Sequence, residues 1–407
     1  MTGDGDNALG LYFSVPFCRS KCTYCNFASG VYPASEHARY VARLIEDLAA
    51  AGKWAEHMGV DLPRRVDTIY LGGGTPSLLE PELLARLFAA IRAEYEVDRD
   101  VEITVECAPG QLADAALEVL AAAGVNRVSL GVQSFVDSEA RGSGRLHSRA
   151  MVEGDMRRLR AAGIANLNVD LIAGLAEQTS SSWEESLHAL LDLGAPHASV
   201  YMLEVDEESR LGRELLAGGA RYHAGLVPSD DAIAAMYMRG IEFLGEAGLD
   251  QYEISNFSRA GRQSRHNLRY WQRRPYLGVG LDASSMLKEP GDSGERYVLR
   301  AATTADLKAY LDDCEPPETA WLSPARQHEE AWFLGLRLNT GVNVAALERE
   351  FGRAMVEPAL ETAARLADDG LLVSDGGFVR LTERGRLLSN DVFQEFLQAA
   401  GEMSVRG

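Results

Sequence analysis

"LYFSVPFCRSKCTYCNF", residues 11–27, sets three of the chain's five cysteines, Cys18, Cys22 and Cys25, directly behind an apolar run. The run, rich in aromatic and β-branched residues, reads as a strand, and the cysteines as the loop that follows it. Three thiolates in one short loop can hold three corners of a metal centre, and sulfur ligation suits iron–sulfur or zinc. A structural zinc site closes with four ligands, and the next histidine, His37, falls in a predicted helix. The spacing therefore favours an iron–sulfur cluster with one iron left open to a small ligand, with zinc as the alternative.

Outward from that loop, strands and helices alternate. Residues 36–49 place Val41, Leu44, Ile45 and Leu48 on one helical face, with Ser35 as the expected N-cap. "DTIYL" (67–71) is the next strand, and residues 80–91 the next helix, with Pro81 in its first turn. Strands follow at 101–106, 127–133, 167–170 and 198–203, separated by helices near 111–123, 148–162 and 181–193. Six such units at about 30-residue spacing predict an α/β fold, a parallel sheet with covering helices. A helix is predicted near 231–247 and an apolar run near 276–286. From about 303 the alternation stops. Helices at 325–338, 342–352 and 356–369, then a hairpin in "LLVSDGGFVRL" (371–381) and a helix from Thr382, predict a small winged-helix-like α+β domain.

Barrel-like parallel sheets collect functional groups at the C-terminal ends of their strands. The predicted ends here are the cysteine loop, Gly72 to Thr75, Glu106, Gln133, Asp170 and Glu204, all polar or glycine apart from the thiols. "GGGTPS" (72–77) lets backbone approach a ligand, and its N–H groups can cradle a carboxylate.

Bulk properties bound the rest. A net charge of −20 over 407 residues argues against general nucleic-acid affinity. Residues 331–407 carry eight Arg and no Lys against eleven acidic residues, so the C-terminal domain is expected to pack or dock rather than read DNA. The first ten residues lack a secretory pattern and no apolar stretch reaches a membrane span, so a cytoplasmic protein is expected. Cys107 and Cys314 stand alone and are expected to be buried, inert thiols.

"YFSVPFCRSKCTYCNF", "YLGGGTPSLL", "NRVSLGVQSF", "GRLHS", "NVDLIAGL", "YEISNFSRAG" and "SRHNLRYW" together resemble the radical S-adenosylmethionine (SAM) superfamily. Within it they are similar to the oxygen-independent coproporphyrinogen III oxidase-like group, in its heme-chaperone branch. The resemblance covers nearly the whole chain. It implies a partial TIM-type barrel, a 4Fe-4S cluster on Cys18, Cys22 and Cys25, and SAM chelated by the open iron and cleaved reductively to a radical. It also implies a division into a radical SAM core (1–225), a family-specific extension with an HNxxYW element (226–320) and the C-terminal domain (321–407).

Carried over by position, Tyr12 and Tyr24 line the SAM site, Gly73, Gly74 and Thr75 approach the methionine moiety, and Glu106, Gln133, Arg145 and Asp170 supply further polar contacts. His266 of "HNLRYW", and less so His147, are candidate heme contacts. Two features separate the branches: Phe27 stands where the authentic oxidase has a fourth cysteine, and only 17 residues precede Cys18. Both point to a chaperone carrying heme to a membrane respiratory protein, with homodimerisation open. The rival is radical SAM turnover on a porphyrin, as decarboxylation or another reaction such as methyl transfer. Cys107, Ala108, Ala173, Ala176 and Ser284 depart from the group's usual residues near the expected ligand face.

Overall fold

Alternate residues of the first six strands face two different environments, and that alternation shapes the molecule. The computed structural model describes residues 8–291, 296–312 and 316–397. Cys314 and the first seven residues lie outside them. Strands β1 (Leu9–Val15), β2 (Arg65–Gly73), β3 (Glu96–Cys107), β4 (Arg127–Gln133), β5 (Asn166–Ala173) and β6 (His197–Met202) are parallel, each beside its predecessor. Leu9, Leu11, Phe13 and Val15 of β1, Ile103 and Val105 of β3, and Val128, Leu130 and Val132 of β4 belong to the main core under the helices. The intervening residues are polar or small and turn to the other face: Tyr70, Glu106, Arg127, Ser129, Gly131, Asn168, Asp170 and Ser199 line a cavity there. Parallel strands covered on both faces are usually apolar throughout. A polar inner face marks an interior built around something other than side-chain packing.

The sheet continues past the parallel block. β7 (Asp250–Glu253) and β8 (Asn256–Ser258) form an antiparallel ribbon on the β6 side, and β9 (Tyr276–Gly280) pairs parallel with β1. β10 (Ser284–Lys288), β11 (Val298–Ala302) and β12 (Glu318–Leu322) extend it antiparallel, giving a twelve-stranded sheet among the described residues. The fold is thus a partial barrel with a long antiparallel skirt. The apolar run predicted near 276–286 supplies β9 and most of β10.

The helices fall where periodicity places them, with local corrections. The first spans Ser35–Met58, longer than the predicted 36–49, and is capped by Ala34 rather than Ser35. It ends at Gly59 in the left-handed region (φ 71°), a conformation glycine adopts without penalty. Ser180–Asp192 is held by a capping box between Thr179 and Ser182. β5 runs on to Ala173, so Asp170 is an inner-face residue of the strand rather than its end.

The C-terminal domain has its own core around Trp332, Leu336, Val356, Leu366 and Val392, and Trp332 stacks on Phe396 at 4.8 Å between centroids. β13 (Val342–Asn343), β14 (Leu372–Asp375) and β15 (Phe378–Leu381) make a small sheet beside helices Pro324–Leu336, Val344–Phe351 and Arg353–Asp368. Gly376 and Gly377, at φ 58° and 83°, form the tight hairpin turn expected of Asp-Gly-Gly. Arg273 to Glu350 and Arg300 to Glu330 ion pairs tie this domain to the barrel.

Candidate functional site

The cysteine loop is pinned from several sides. Its ends are drawn together by Cys18 N–H to Gly30 O and Gly30 N–H to Pro16 O, both 2.9 Å. Thr23 N–H donates to Ser143 O at 3.0 Å, and Leu211 N–H donates to Thr23 O at 2.8 Å, fastening the loop to those after β4 and β6. Gly144, at φ 89°, lets the chain pass close beneath: a Cβ there would stand 3.3 Å from Cys22 Cα.

All three cysteines line one cavity of about 510 Å³, which opens at this loop and runs along the inner face of the sheet. Each sulfur has its own polar neighbour. Thr75 Oγ1 donates to Cys18 Sγ (3.8 Å), Arg145 Nη1 to Cys22 Sγ (3.4 Å), and Ser29 Oγ lies 3.8 Å from Cys25 Sγ. Burial raises the Cys18 thiol above its ordinary value against the pull of Thr75 and Ser29, so the thiolate that binds metal forms there as the metal displaces the proton. Among the described residues no three metal-binding groups are already drawn together, so a metal would have to gather these sulfurs. The donor set still fits a cluster held at three corners, since the loop over 16–30 supplies three sulfurs and holds no fourth cysteine or histidine. His37 is bonded through Nδ1 to Glu80 (3.0 Å) and packs on Phe17, and Phe27 offers no sulfur.

The glycine run has a packing reason as well as a binding one. A Cβ on Gly72 would meet Glu106 Oε1 at 2.9 Å, on Gly73 Ser14 Oγ at 2.7 Å, and on Gly74 Val15 O at 2.7 Å. The bare backbone of Gly73 and Gly74 then faces the cavity beside Thr75. Glu106 accepts from Tyr70 OH at 2.8 Å. Burial pushes its carboxyl up to about 7, against the pull of the Tyr70 hydrogen bond and with a push from Asp170. Asp170, also raised by burial, accepts from Ser129 (3.1 Å) and Asn168 (2.6 Å).

Arg145 is no surface ion pair. It spans from Cys22 to the carbonyl of Gly131, to which Nη2 donates, and closes one wall of the cavity. Gln133 ends β4 at φ 69°, an uncommon conformation for a residue with a Cβ, and also lines the cavity. Tyr24 lines it too, its phenol pushed well above 10 by burial and the neighbouring Cys22.

Three expected contacts lie elsewhere. Tyr12 sits on β1 with its ring 5.9 Å from Tyr70 and 6.4 Å from His266, and is not among the lining residues. His266 is 1% exposed, with Nδ1 bonded to Thr68 (3.0 Å) and Nε2 to Tyr270 (2.9 Å). Both nitrogens are occupied within the fold, so this imidazole is not presented to a ligand. His147 is buried beside Arg145 with Nε2 unpartnered, held down to about 4 by burial and that guanidinium, and it too is outside the lining. Cys107 is buried but does line the cavity, its thiol pushed up to about 12 by burial. Strand ends alone do not reveal Tyr70, Arg127, Ser129, Asn168, Ser199 or Tyr201. The signal for them is the period-two polar alternation inside parallel strands.

Comparison with known proteins agrees with this architecture. The family model for the radical SAM superfamily matches residues 12–190, and that for the HemN C-terminal domain matches 322–388. A protein of Lactococcus lactis subsp. lactis named heme chaperone HemW is 34% identical over 386 residues, covering 95% of this chain and 96% of its own. The Bacillus subtilis protein of the same name is 33% identical, covering 95% and 98%. Among solved structures, the coproporphyrinogen III oxidase HemN of Escherichia coli, a radical SAM enzyme, superposes with a TM-score of 0.80 at 22% identity, over 96% of this chain and 90% of that one. That likeness concerns the fold. With the cysteine loop, the glycine-lined cavity and the near-full-length relatives, the chain belongs to the radical SAM superfamily and, within it, to the oxygen-independent coproporphyrinogen III oxidase-like group that includes the HemW proteins.

Proposed function

We propose that this chain is a heme-binding chaperone on a radical SAM scaffold, holding a 4Fe-4S cluster and SAM and passing heme to a membrane respiratory protein. The observation that carries the reading is its near-full-length similarity to proteins named as heme chaperones. Phe27 supports it. At the position of the oxidase's fourth cysteine, this ring is 64% exposed at the cavity mouth, with the exposed Leu146 also lining the opening. An apolar rim suits a flat macrocycle better than a fourth thiol would.

In this reading Cys18, Cys22 and Cys25 hold the cluster, which when bound supplies an iron with an open coordination position and one-electron chemistry. The chain's own groups orient the small ligand. Backbone at Gly73 and Gly74, with Thr75, receives its amino-acid end, and Gln133 and Arg145 bound the opposite wall. Glu106 and Asp170 accept hydrogen bonds from hydroxyl or ammonium groups, Glu106 taking or holding a proton near neutral pH. The division at 225 and 320, a cytoplasmic setting and self-association belong to the same proposal. Among the described residues no helix is long and apolar enough to cross a membrane.

The test is an anaerobic titration of the iron- and sulfide-reconstituted protein with heme, followed by absorbance, with and without SAM. Saturable binding at micromolar heme, without consumption of coproporphyrinogen in the presence of SAM and a reductant, is the expected result. No saturable binding, or porphyrin turnover, overturns the chaperone reading.

A further inference from the structure

The deep part of the cavity holds a charge that the fold leaves unanswered. Arg127 opens β4, four residues before Gly131, so it lies about 13 Å further along the strand from the Arg145–Cys22 wall at ~3.3 Å per residue. It is buried, 1% exposed, and lines the cavity. Its Nε has no hydrogen-bond partner, and no carboxylate among the described residues forms an ion pair with it. The other deep guanidinium, Arg337, already faces Glu253 at 3.8 Å and lies over the Trp271 ring.

Among the described residues, the one side chain within hydrogen-bond distance of Arg127 does not satisfy it. Nη2 lies 3.5 Å from His197 Nδ1, but that nitrogen is 2.6 Å from Asn168 Oδ1. Asn168 is oriented by its amide nitrogen, which donates to Asp170 (2.6 Å) and Ser129 (2.7 Å), so its oxygen must accept from His197. Nδ1 therefore carries the proton, while Nε2 accepts from Tyr252 OH at 2.9 Å. A protonated nitrogen cannot accept from Arg127. Glu106 and Asp170 lie close enough to feel the guanidinium, but neither forms a hydrogen bond or an ion pair with it; their donors are Tyr70, Ser129 and Asn168. A buried guanidinium without an acceptor is strongly unfavourable, and folds keep such a group where something else supplies the anion.

We propose that Arg127 anchors a carboxylate of the cargo, a propionate arm of a tetrapyrrole whose edge enters the barrel. A guanidinium pairs with a carboxylate in a planar two-point geometry, and the enclosed chamber strengthens that pairing. The inference rests on the heme-binding reading and adds the polar end of the recognition. SAM also bears a carboxylate, but its amino-acid end belongs with Gly73 and Gly74 beside the cysteine loop.

Affinities of hemin and of hemin dimethyl ester, in one detergent buffer, test it on the reconstituted full-length protein, on R127K and on R127Q, with SAM affinity measured in parallel and folding checked by circular dichroism. The wild type should bind hemin at least tenfold more tightly than the ester, R127Q should erase that gap, and R127K should retain part of it. Equal affinities in the wild type, or a gap that survives in a folded R127Q, overturn the anchor and leave heme binding standing. Should R127Q not fold, a wild-type gap undiminished in R127K is equally decisive against it. Failure of the wild type to bind either porphyrin overturns the anchor together with the heme reading. A SAM affinity that falls tenfold in R127Q while hemin is unaffected assigns the carboxylate to SAM and overturns the propionate assignment.

Discussion

Replacing His266 by alanine should weaken the fold and leave heme affinity intact. The imidazole bridges Thr68 on β2 to Tyr270 on its own short helix, Arg265–Trp271, whose first amides, Arg265 and His266, donate to Glu102 on β3 at 3.0 Å each. Two lost hydrogen bonds at roughly 1 kcal/mol each, plus about 1–2 kcal/mol for the space left among Tyr12, Tyr70 and Tyr270, give a loss of about 3–4 kcal/mol. Thr68 keeps a donor in Arg269 Nε at 3.2 Å, whereas the Tyr270 hydroxyl loses its partner. A pH signature goes with this. Burial, with Arg269 nearby, lowers the His266 imidazole from 6.5 to about 3. The unfolded chain therefore binds a proton that the native state refuses. The stability tied to the neutral ring is complete above pH 6.5 and drains away as pH falls toward 3, on the order of 2 kcal/mol by pH 5. H266A should accordingly show a shallower acid limb, by up to about 1.4 kcal/mol per pH unit. Urea unfolding of wild type and variant between pH 4.5 and 8, beside one heme titration, measures both. An unchanged midpoint with tenfold weaker heme binding would refute the reasoning and return His266 to the ligand list.

Alanine at Cys18, Cys22 or Cys25 should each abolish the brown chromophore of the anaerobically reconstituted protein and drop its iron content severalfold. C107A should keep both, since burial holds the Cys107 thiol near 12 and far from thiolate. Spectral retention in any of the first three, or loss in C107A, counts against the three-thiol assignment. Glu106 has a raised folded pKa, so its contribution to stability is present below pH 4.5 and is lost as pH rises through about 7. E106Q should therefore flatten the neutral-pH change in stability and remove any change in SAM affinity between pH 6 and 8. Calorimetry that finds the same pH dependence in E106Q as in wild type would assign that titration to another group.

The course of the barrel is legible in the sequence because its cause is local. Apolar residues at alternate positions of β1, β3 and β4, and helical faces such as Val41, Leu44 and Leu48, can be buried in only one way. The cysteine loop is legible for the same reason, since three ligands within eight positions need no distant partner to be recognised. Boundaries are harder. β5 carries on through Leu171, Ile172 and Ala173, and the first helix continues nine residues past 49, because tertiary packing extends both beyond the strongest stretch of pattern. Long-range convergence is hidden altogether. Nothing near residue 266 says that Thr68, 198 residues earlier, will take one nitrogen of that ring.

The same limit explains why position alone misjudges which polar residues serve the site. Strand ends are a good guide in a barrel whose interior is packed with branched apolar side chains, since chemistry is then confined to the rim. Here the interior itself is polar, so useful groups lie along the strands as well as at their tips. Two buried polar residues that look alike in the sequence part company in the fold. His266 has both nitrogens satisfied, so its burial already has a structural explanation. Arg127 has an unpartnered nitrogen and a neighbour chemically unable to help it. Whether a buried polar side chain is structure or site turns on that unmet bond. By this measure His266 braces the barrel, and the arginine of "NRVSLGVQSF" faces the cavity.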